Sequence, residues 1–370
     1  MRTTNRYNKH VAGGALLLAS VLALSACGQD PSGGGTDKAA SPKASDCAKG
    51  SLNTSGSSAQ ANAVTEWVKA YQSSCDGATI NYQPNGSGAG IEQFLQGSTG
   101  FAGSDSALEP AEAKKAQERC EGNKAINLPM VVGPVAVVYK LEGVDDLQLS
   151  PSTMAKIFAG KVKKWNDPAI KAENPDAKLP ATPIQAVHRS DESGTTDNFT
   201  DYLSNAAPKD WTYGADKVWK APGGQGAKGS DGIASSLKNT EGAISYVEMS
   251  YAENSELQQA KVKNGAGEYV SLTGESAAAT VDSAKIVGKG NDLALEIDYT
   301  TKAKGAYPIV LVTYEITCEE GLSKEQVDLV KGFLSYTSSQ KGQDKLSEIG
   351  YAPLPDELAG KVRESVKSIS

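Results

Sequence analysis

Histidine is almost absent from this chain: there are two in 370 residues, and only His188 lies beyond the first ten. That leaves little material for a histidine-based hydrolase or a histidine-ligated zinc site. The five cysteines include no Cys-x-x-Cys pair, which removes the commonest zinc and redox spacings. Basic charge is short as well, with 37 Lys and Arg against 44 Asp and Glu. Such a surface repels nucleic acid and anionic membranes, so any anion held here must be held by local dipoles and a few placed donors. No internal repeat is present. At 39% hydrophobic and 22% charged, the composition excludes disorder throughout, and the length suffices for two domains with real cores.

The N-terminus has a basic region (Arg2, Arg6, Lys9) and an apolar run from Val11 to Leu24, closed by Leu24-Ser25-Ala26-Cys27. This is a secretory signal, 1–26, whose end matches the bacterial lipoprotein cleavage box, making Cys27 the expected lipidated first residue of the mature chain. The alternative is a plain signal peptide followed by a chance cysteine. Removing 1–26 takes away three basic side chains and no acidic one, leaving 34 basic against 44 acidic. Residues 27–46, with Gly33-Gly34-Gly35 and scattered Ser, Pro, Asp and Lys, read as a flexible tether. Its reach is roughly 25 Å by flexible-coil scaling. Beyond it stand Cys47, Cys75, Cys120 and Cys318, an even count that suggests two disulfides in an exported protein, with three pairings open.

The body alternates short apolar runs with helical spacing, as an α/β fold requires. Helices are expected through Val64, Trp67 and Tyr71, through Ile91 and Phe94, over 110–120, 151–159 and 233–237, and through Val327 to Leu334. Strands are expected at 78–82, 101–103, 184–187 and 243–247. Two longer apolar runs, 125–139 (broken by Pro129, Gly133 and Pro134) and 307–316, suit strands that cross between two lobes. The lysines of 161–164 read as a solvated face, and the Gly-rich 223–232 as a loop lining a cleft or a plain connector.

One stretch organises the rest. His188-Arg189-Ser190-Asp191-Glu192-Ser193-Gly194-Thr195-Thr196 ends an apolar run and opens a helix. A fixed guanidinium followed by Ser-Gly-Thr at a helix start aims backbone N–H groups, hydroxyls and a cation at one anion. Thr54-Ser55-Gly56-Ser57-Ser58 and Asn85-Gly86-Ser87-Gly88-Ala89-Gly90 have a similar build before two other helices, and Asp105 follows Gly103-Ser104. Each alone is ordinary capping chemistry. Together, each following a strand in an α/β pattern, they call for a shared ligand at the carboxyl ends of the strands. Catalytic readings fare worse. Ser193 lacks the Gly two residues before it that a nucleophile elbow needs, and Gly223 to Ser230 fails the phosphate-loop spacing.

From about residue 48 to 357 these motifs resemble the phosphate-binding proteins of bacterial high-affinity phosphate ABC transporters. The likeness rests on Gly86 to Gly90, Gly103-Ser104-Asp105, Gly160 to Asp167, His188 to Thr195, Lys228-Gly229-Ser230-Asp231-Gly232 and Tyr351-Ala352-Pro353-Leu354-Pro355. It implies a two-lobed periplasmic-binding-protein-like α/β fold with two crossing strands, 47–132 and 312–370 in the first lobe and 133–311 in the second. It further implies that Ser57, Ser58, Ala59, Ser87 and Asp105 meet a phosphate from one side and Arg189, Ser193, Gly194 and Thr195 from the other, with Asp191 orienting Arg189. Two positions depart from the commonest pattern, Ala59 for a larger apolar residue and Glu192 for a Gly beside the cradle. Glu192 would add a like charge near the anion.

An ionised Asp105 accepts hydrogen bonds only, so it fits a buried oxyanion that brings a proton, as phosphate does and sulfate does not. The expected function is capture of inorganic phosphate outside the cytoplasm and delivery to a permease with its cytoplasmic ATPase, by a monomer held to the membrane through its lipid alone. No cofactor, metal, catalytic residue or nucleic-acid partner is expected. A phosphate-ester hydrolase, or a binder of another oxyanion, on the same fold is the alternative.

Overall fold

The structure is a computed structural model that describes residues 47–370; the leader, Cys27 and the rest of the tether lie outside the described residues. Nine strands form the main sheet: β1 (Gly50–Gly56), β2 (Ala78–Gln83), β3 (Ala102–Ser104), β4 (Ala125–Tyr139), β5 (Gln185–Arg189), β6 (Gln225–Ala227), β7 (Ala243–Glu248), β8 (Gln258–Gln259) and β9 (Val310–Cys318). Their order is β2-β1-β3-β9-β4-β7-β5-β6, with β8 on the edge of β4. β1 runs parallel to β2 and β3, and β5 runs parallel to β6 and β7, so each half has the parallel arrangement that helical crossovers produce.

The two long apolar runs join these halves. β4 pairs with β9 through Pro134 and then with β7 from Val135 onward. Its side chains change allegiance at the same place: Ile126 to Val132 enter one core, and Val135, Val137 and Tyr139 another. The return run divides by face instead, Val310 and Val312 entering the first core and Ile309 and Leu311 the second. The breaker Pro129 is tolerated because the ladder shifts register there, with Thr313 opposite Val131 and Tyr314 opposite Pro129.

The first core gathers Trp67, Tyr71, Phe94, Phe101 and Phe333, all fully buried. Each such side chain contributes roughly 1.5–3 kcal/mol on burial, and Trp67 loses no hydrogen bond because its Nε1 donates to the Gly342 carbonyl at 2.7 Å. The cysteines pair as Cys47–Cys75 and Cys120–Cys318, both on this side. A second core centres on Phe158, Trp165, Phe199 and Tyr246, with a smaller cluster on the other sheet face around Ile233 and Leu237. Helix Gly274–Val281 and the hairpin after it belong to the stretch expected in the second lobe, yet Ala277, Val281 and Leu293 enter the first core, where Leu293 donates to the Asn127 carbonyl.

Most expected helices fall within a few residues of their predicted positions, and the lysines of 161–164 are exposed around buried Val162 and Trp165. Others were not anticipated. Gln340–Ser347 and Asp356–Ser368 are helices, and Pro168–Glu173 is a short one inside the Pro-rich connection. The 223–232 stretch is not simply a loop: it contains β6 and starts helix Gly229–Asn239. No helix among the described residues is long and apolar enough to cross a membrane.

Candidate anion-binding site

Three strand ends and three helix starts converge between the lobes. β1 ends at Gly56, where φ is +144° and an added Cβ would stand 1.9 Å from the Gly103 carbonyl oxygen, so only glycine lets β1 turn beside β3. The turn buries Ser57, Ser58 and Ala59. Ser57 Oγ accepts the Ala59 N–H at 3.0 Å, and Ser58 Oγ accepts the Ser230 N–H across the cleft at 3.1 Å. The Ala59 N–H is thus already engaged locally, by the Ser57 hydroxyl. Tyr251 and Tyr351 donate to the Ser58 and Ala59 carbonyls at 2.8 and 2.6 Å and pin the turn from both lobes.

Ser87 opens helix Ser87–Leu95 and sits at the centre of the group. Its Oγ accepts the Asp105 N–H from its own lobe and the Gly194 N–H from the other, each at 3.2 Å. The Asp105 carboxyl is buried, with Oδ1 accepting from Thr313 at 2.8 Å and Oδ2 facing the hydroxyls of Ser87 and Thr195 at 3.4 Å. Burial raises its pKa above the ordinary aspartate value; the hydroxyls of Ser57, Thr313 and Ser87 and the charge of Arg189 offset part of that rise.

Across the cleft, β5 delivers Arg189. Its guanidinium grips Asp191 by two bonds, Nε to Oδ1 at 2.7 Å and a terminal nitrogen to Oδ2 at 2.6 Å. That fork fixes the plane of the guanidinium. Burial alone would raise the Asp191 pKa, but hydrogen bonds and charge from Arg189 outweigh it and hold the carboxyl below its ordinary value. Asp191 also accepts the Gly229 N–H at 3.1 Å, so the loop before the next helix is tied to the same pair. Ser193 caps helix Gly194–Ala206 by accepting from the Thr196 N–H, and Gly194 and Thr195 form its first turn. An added Cβ on Gly194 would lie 2.6 Å from Asp105 Cβ, so the lobes are shut on each other. Below the cradle, Tyr246 shares a 2.7 Å bond with Thr196 and stacks on Phe199.

All nine residues expected to meet a ligand are therefore brought to one place, with Asp191 behind Arg189. Glu192 is exposed at the rim: its side chain lies over Gly88, and its carbonyl accepts the Gly88 N–H. Several contributors escaped the sequence reading. Thr313 supports Asp105, and Asn198 donates to the carbonyls of Asp105 and Gly194 at 2.7 and 2.8 Å. Ser230 had a faint signal as part of a motif already noted; Thr313 and Asn198 had none beyond lying in a crossing run and a helix.

The arrangement offers one guanidinium, a helix N-terminus and several hydroxyls against one buried carboxyl. It is suited to a small oxyanion, and Ser193 Oγ, which accepts the Thr196 N–H in capping its own helix, still has its O–H to donate. Among the described residues no group of three or more His, Cys, Asp and Glu side chains is placed to hold a metal ion.

Residues 41–341 match a family model described as a PBP superfamily domain. The chain is 45% identical to phosphate-binding protein PstS 3 of Mycobacterium tuberculosis, across 99% of its length and 100% of that protein's. It is 43% identical to phosphate-binding protein PstS 3 of Mycobacterium leprae, across 96% and 97%. Among solved structures, a phosphate-binding protein from Stenotrophomonas maltophilia superposes with a TM-score of 0.67 over 85% of this chain and 93% of its own, at 19% identity, a likeness of fold.

Proposed function

The chain belongs to the PstS phosphate-binding proteins of the PBP superfamily, and from that premise we propose that its cleft holds one inorganic phosphate. Ser57, Ser58, Ala59, Ser87 and Asp105 face the anion from the first lobe, built on 47–132 and 312–370. Arg189, Ser193, Gly194 and Thr195 face it from the second, within 133–311 apart from the 274–296 stretch that joins the first core, with Asp191 orienting Arg189. The protein binds phosphate outside the cytoplasm and hands it to an ABC-transporter permease for import.

The observation that carries the reading is the opposition of Arg189, forked onto Asp191, to the buried Asp105 carboxyl on the far side of the same few hydroxyls. Arg189 and the N-terminus of helix Gly194–Ala206 attract an anion, while an ionised Asp105 admits one only if it brings a proton. Phosphate meets both conditions and sulfate only the first. Equilibrium dialysis against labelled phosphate tests this: one phosphate per chain is expected, displaced by arsenate and not by sulfate. Equal displacement by sulfate refutes the selectivity, and no retained phosphate refutes the function.

A binder rather than an enzyme is favoured by the capped Ser193 and the single body histidine, since ester hydrolysis needs an activated nucleophile or a metal cluster. Turnover of a chromogenic phosphate ester by the purified protein would reverse that choice. Anchoring through lipidated Cys27, as a monomer, completes the proposal. Cys27→Ala should move the protein from the membrane to the soluble fraction with phosphate binding unchanged, because that residue precedes the folded body. Unchanged membrane association contradicts the anchor.

A further inference from the structure

At the edge of the cleft one lysine forms an ion pair between the lobes. Lys217 lies in the second lobe between Trp211 and Trp219, and its side chain is only 8% exposed. Its ammonium reaches Glu112 Oε1 at 2.8 Å and Glu109 Oε1 at 3.4 Å, both in the first lobe. Glu112 is held in advance: its Oε2 accepts the Glu109 N–H at 2.8 Å in the capping box of helix Pro110–Arg119. The lysine thus meets a fixed carboxylate.

Two further facts tie this bridge to the anion cradle. The Lys217 carbonyl accepts the Ser193 N–H at 3.0 Å, so the residue that spans the rim also holds the start of helix Gly194–Ala206. In the first turn of that helix, Asp197 accepts from Ser106, the neighbour of Asp105, at 2.5 Å. The rim is otherwise acidic. Glu109 and Glu112 come from one lobe, Asp197 and Asp216 from the other, and Lys220 is taken by Asp216. Burial would lower the Lys217 pKa, but Glu112, Glu109 and Asp197 outweigh it, so the side chain remains a cation. Without it, four carboxylates would face each other across a closing gap, where like charges oppose approach.

We propose that Lys217 is a latch and a positioning residue for the anion site: its ammonium joins the lobes through Glu112 while its carbonyl holds Ser193, so rim and cradle close together and the bound anion leaves slowly. This rests on the phosphate reading above. The contacts belong to the closed arrangement, so the latch acts on dissociation and leaves association nearly unchanged.

The test is the rate at which labelled phosphate leaves the full folded body in a chase with unlabelled phosphate. Lys217→Met should raise the dissociation rate about tenfold with association within about twofold. Glu112→Gln, which keeps an oxygen for the helix cap but removes the charge, should act in the same direction by a smaller factor, and Lys217→Arg should stay within about threefold of wild type. The double variant Lys217→Met/Glu112→Gln should be no faster than Lys217→Met alone. Should Lys217→Met fail to fold, Glu112→Gln decides by itself, because the amide keeps the side chain's shape and the oxygen that accepts the Glu109 N–H. Wild-type dissociation rates in both single variants, or effects that multiply in the double, overturn the latch while leaving phosphate binding intact. A wild-type protein that retains no phosphate overturns both.

Discussion

At the scale of single residues the proposed choice between two tetrahedral oxyanions rests on Asp105, the buried carboxyl of the cradle. Asp105→Asn keeps the shape, removes the repulsion and leaves an amide that still donates to a phosphate oxygen. Phosphate binding should survive in weakened form while sulfate binding appears, so that selectivity falls by orders of magnitude, as expected when a repulsive contact of several kcal/mol is lost. A selectivity within about threefold of wild type, below roughly 0.7 kcal/mol, would reduce Asp105 to a local hydrogen-bonding residue.

A pH dependence follows with its sign. Burial raises the Asp105 pKa, so on acidification it takes up a proton at a higher pH than an exposed aspartate. Once protonated it donates, and a sulfate oxygen can accept. Sulfate affinity of the wild type should therefore rise as pH falls through that titration, and this rise should be missing in Asp105→Asn. Paired titrations across pH check it, and a wild-type profile matching the variant's contradicts it. Arg189 is legible in the sequence because a cation before Ser-Gly-Thr at a helix start has a local meaning, whereas the place of Asp191 beside it comes only from the family likeness. Thr313, which stands 208 positions from Asp105, and Lys217, 105 from Glu112, have meaning only once the chain has folded.

At the scale of elements, periodicity found those that bury one face. Helix Lys324–Thr337 and β4 announced themselves, whereas β1 did not, since Gly-Ser-Leu-Asn-Thr-Ser-Gly carries a single large apolar side chain and is buried by its position in the sheet. The C-terminal helix Asp356–Ser368 carries an apolar stripe of Leu358, Val362 and Val366, but it follows a proline cluster that resembles a chain break. Pro355 is the N-cap of that helix, so the proline cluster precedes its first turn and does not interrupt it. The element that matters most for closure is helix Gly194–Ala206, whose first residue lies against Asp105 and Ser87 with no room for a Cβ. Gly194→Ala should not harm the helix, since alanine is the better helix former by about 1 kcal/mol. It should prop the lobes apart instead. We expect weaker phosphate binding, an unchanged far-ultraviolet circular dichroism spectrum, and a smaller contraction on phosphate in small-angle scattering than in the wild type. Wild-type affinity with a wild-type contraction would show that the lobes do not need this close approach.

At the scale of the whole molecule, the two-lobed fold was legible from two long broken apolar runs and from the likeness of ordered motifs to one family, and both crossing strands lie where those runs predicted. The stretch 274–296 was not legible in the same way. Val281 to Ile286 and Leu293 to Ile297 carry its apolar signal, but which core they join depends on contacts such as Asn127 with Asp292 at 2.8 Å. In the proposed function the two lobes jointly enclose one ion, which either alone would leave half solvated. Removing the single placed cation of the cradle tests that most directly. Calorimetric titration with phosphate should show one site per chain in the wild type, and in Arg189→Ala a loss of at least about 2 kcal/mol, or about thirtyfold in affinity, the scale of withdrawing a buried charge from its partner. Unchanged phosphate affinity in Arg189→Ala, beside a wild type that binds, would place the anion somewhere other than this cleft.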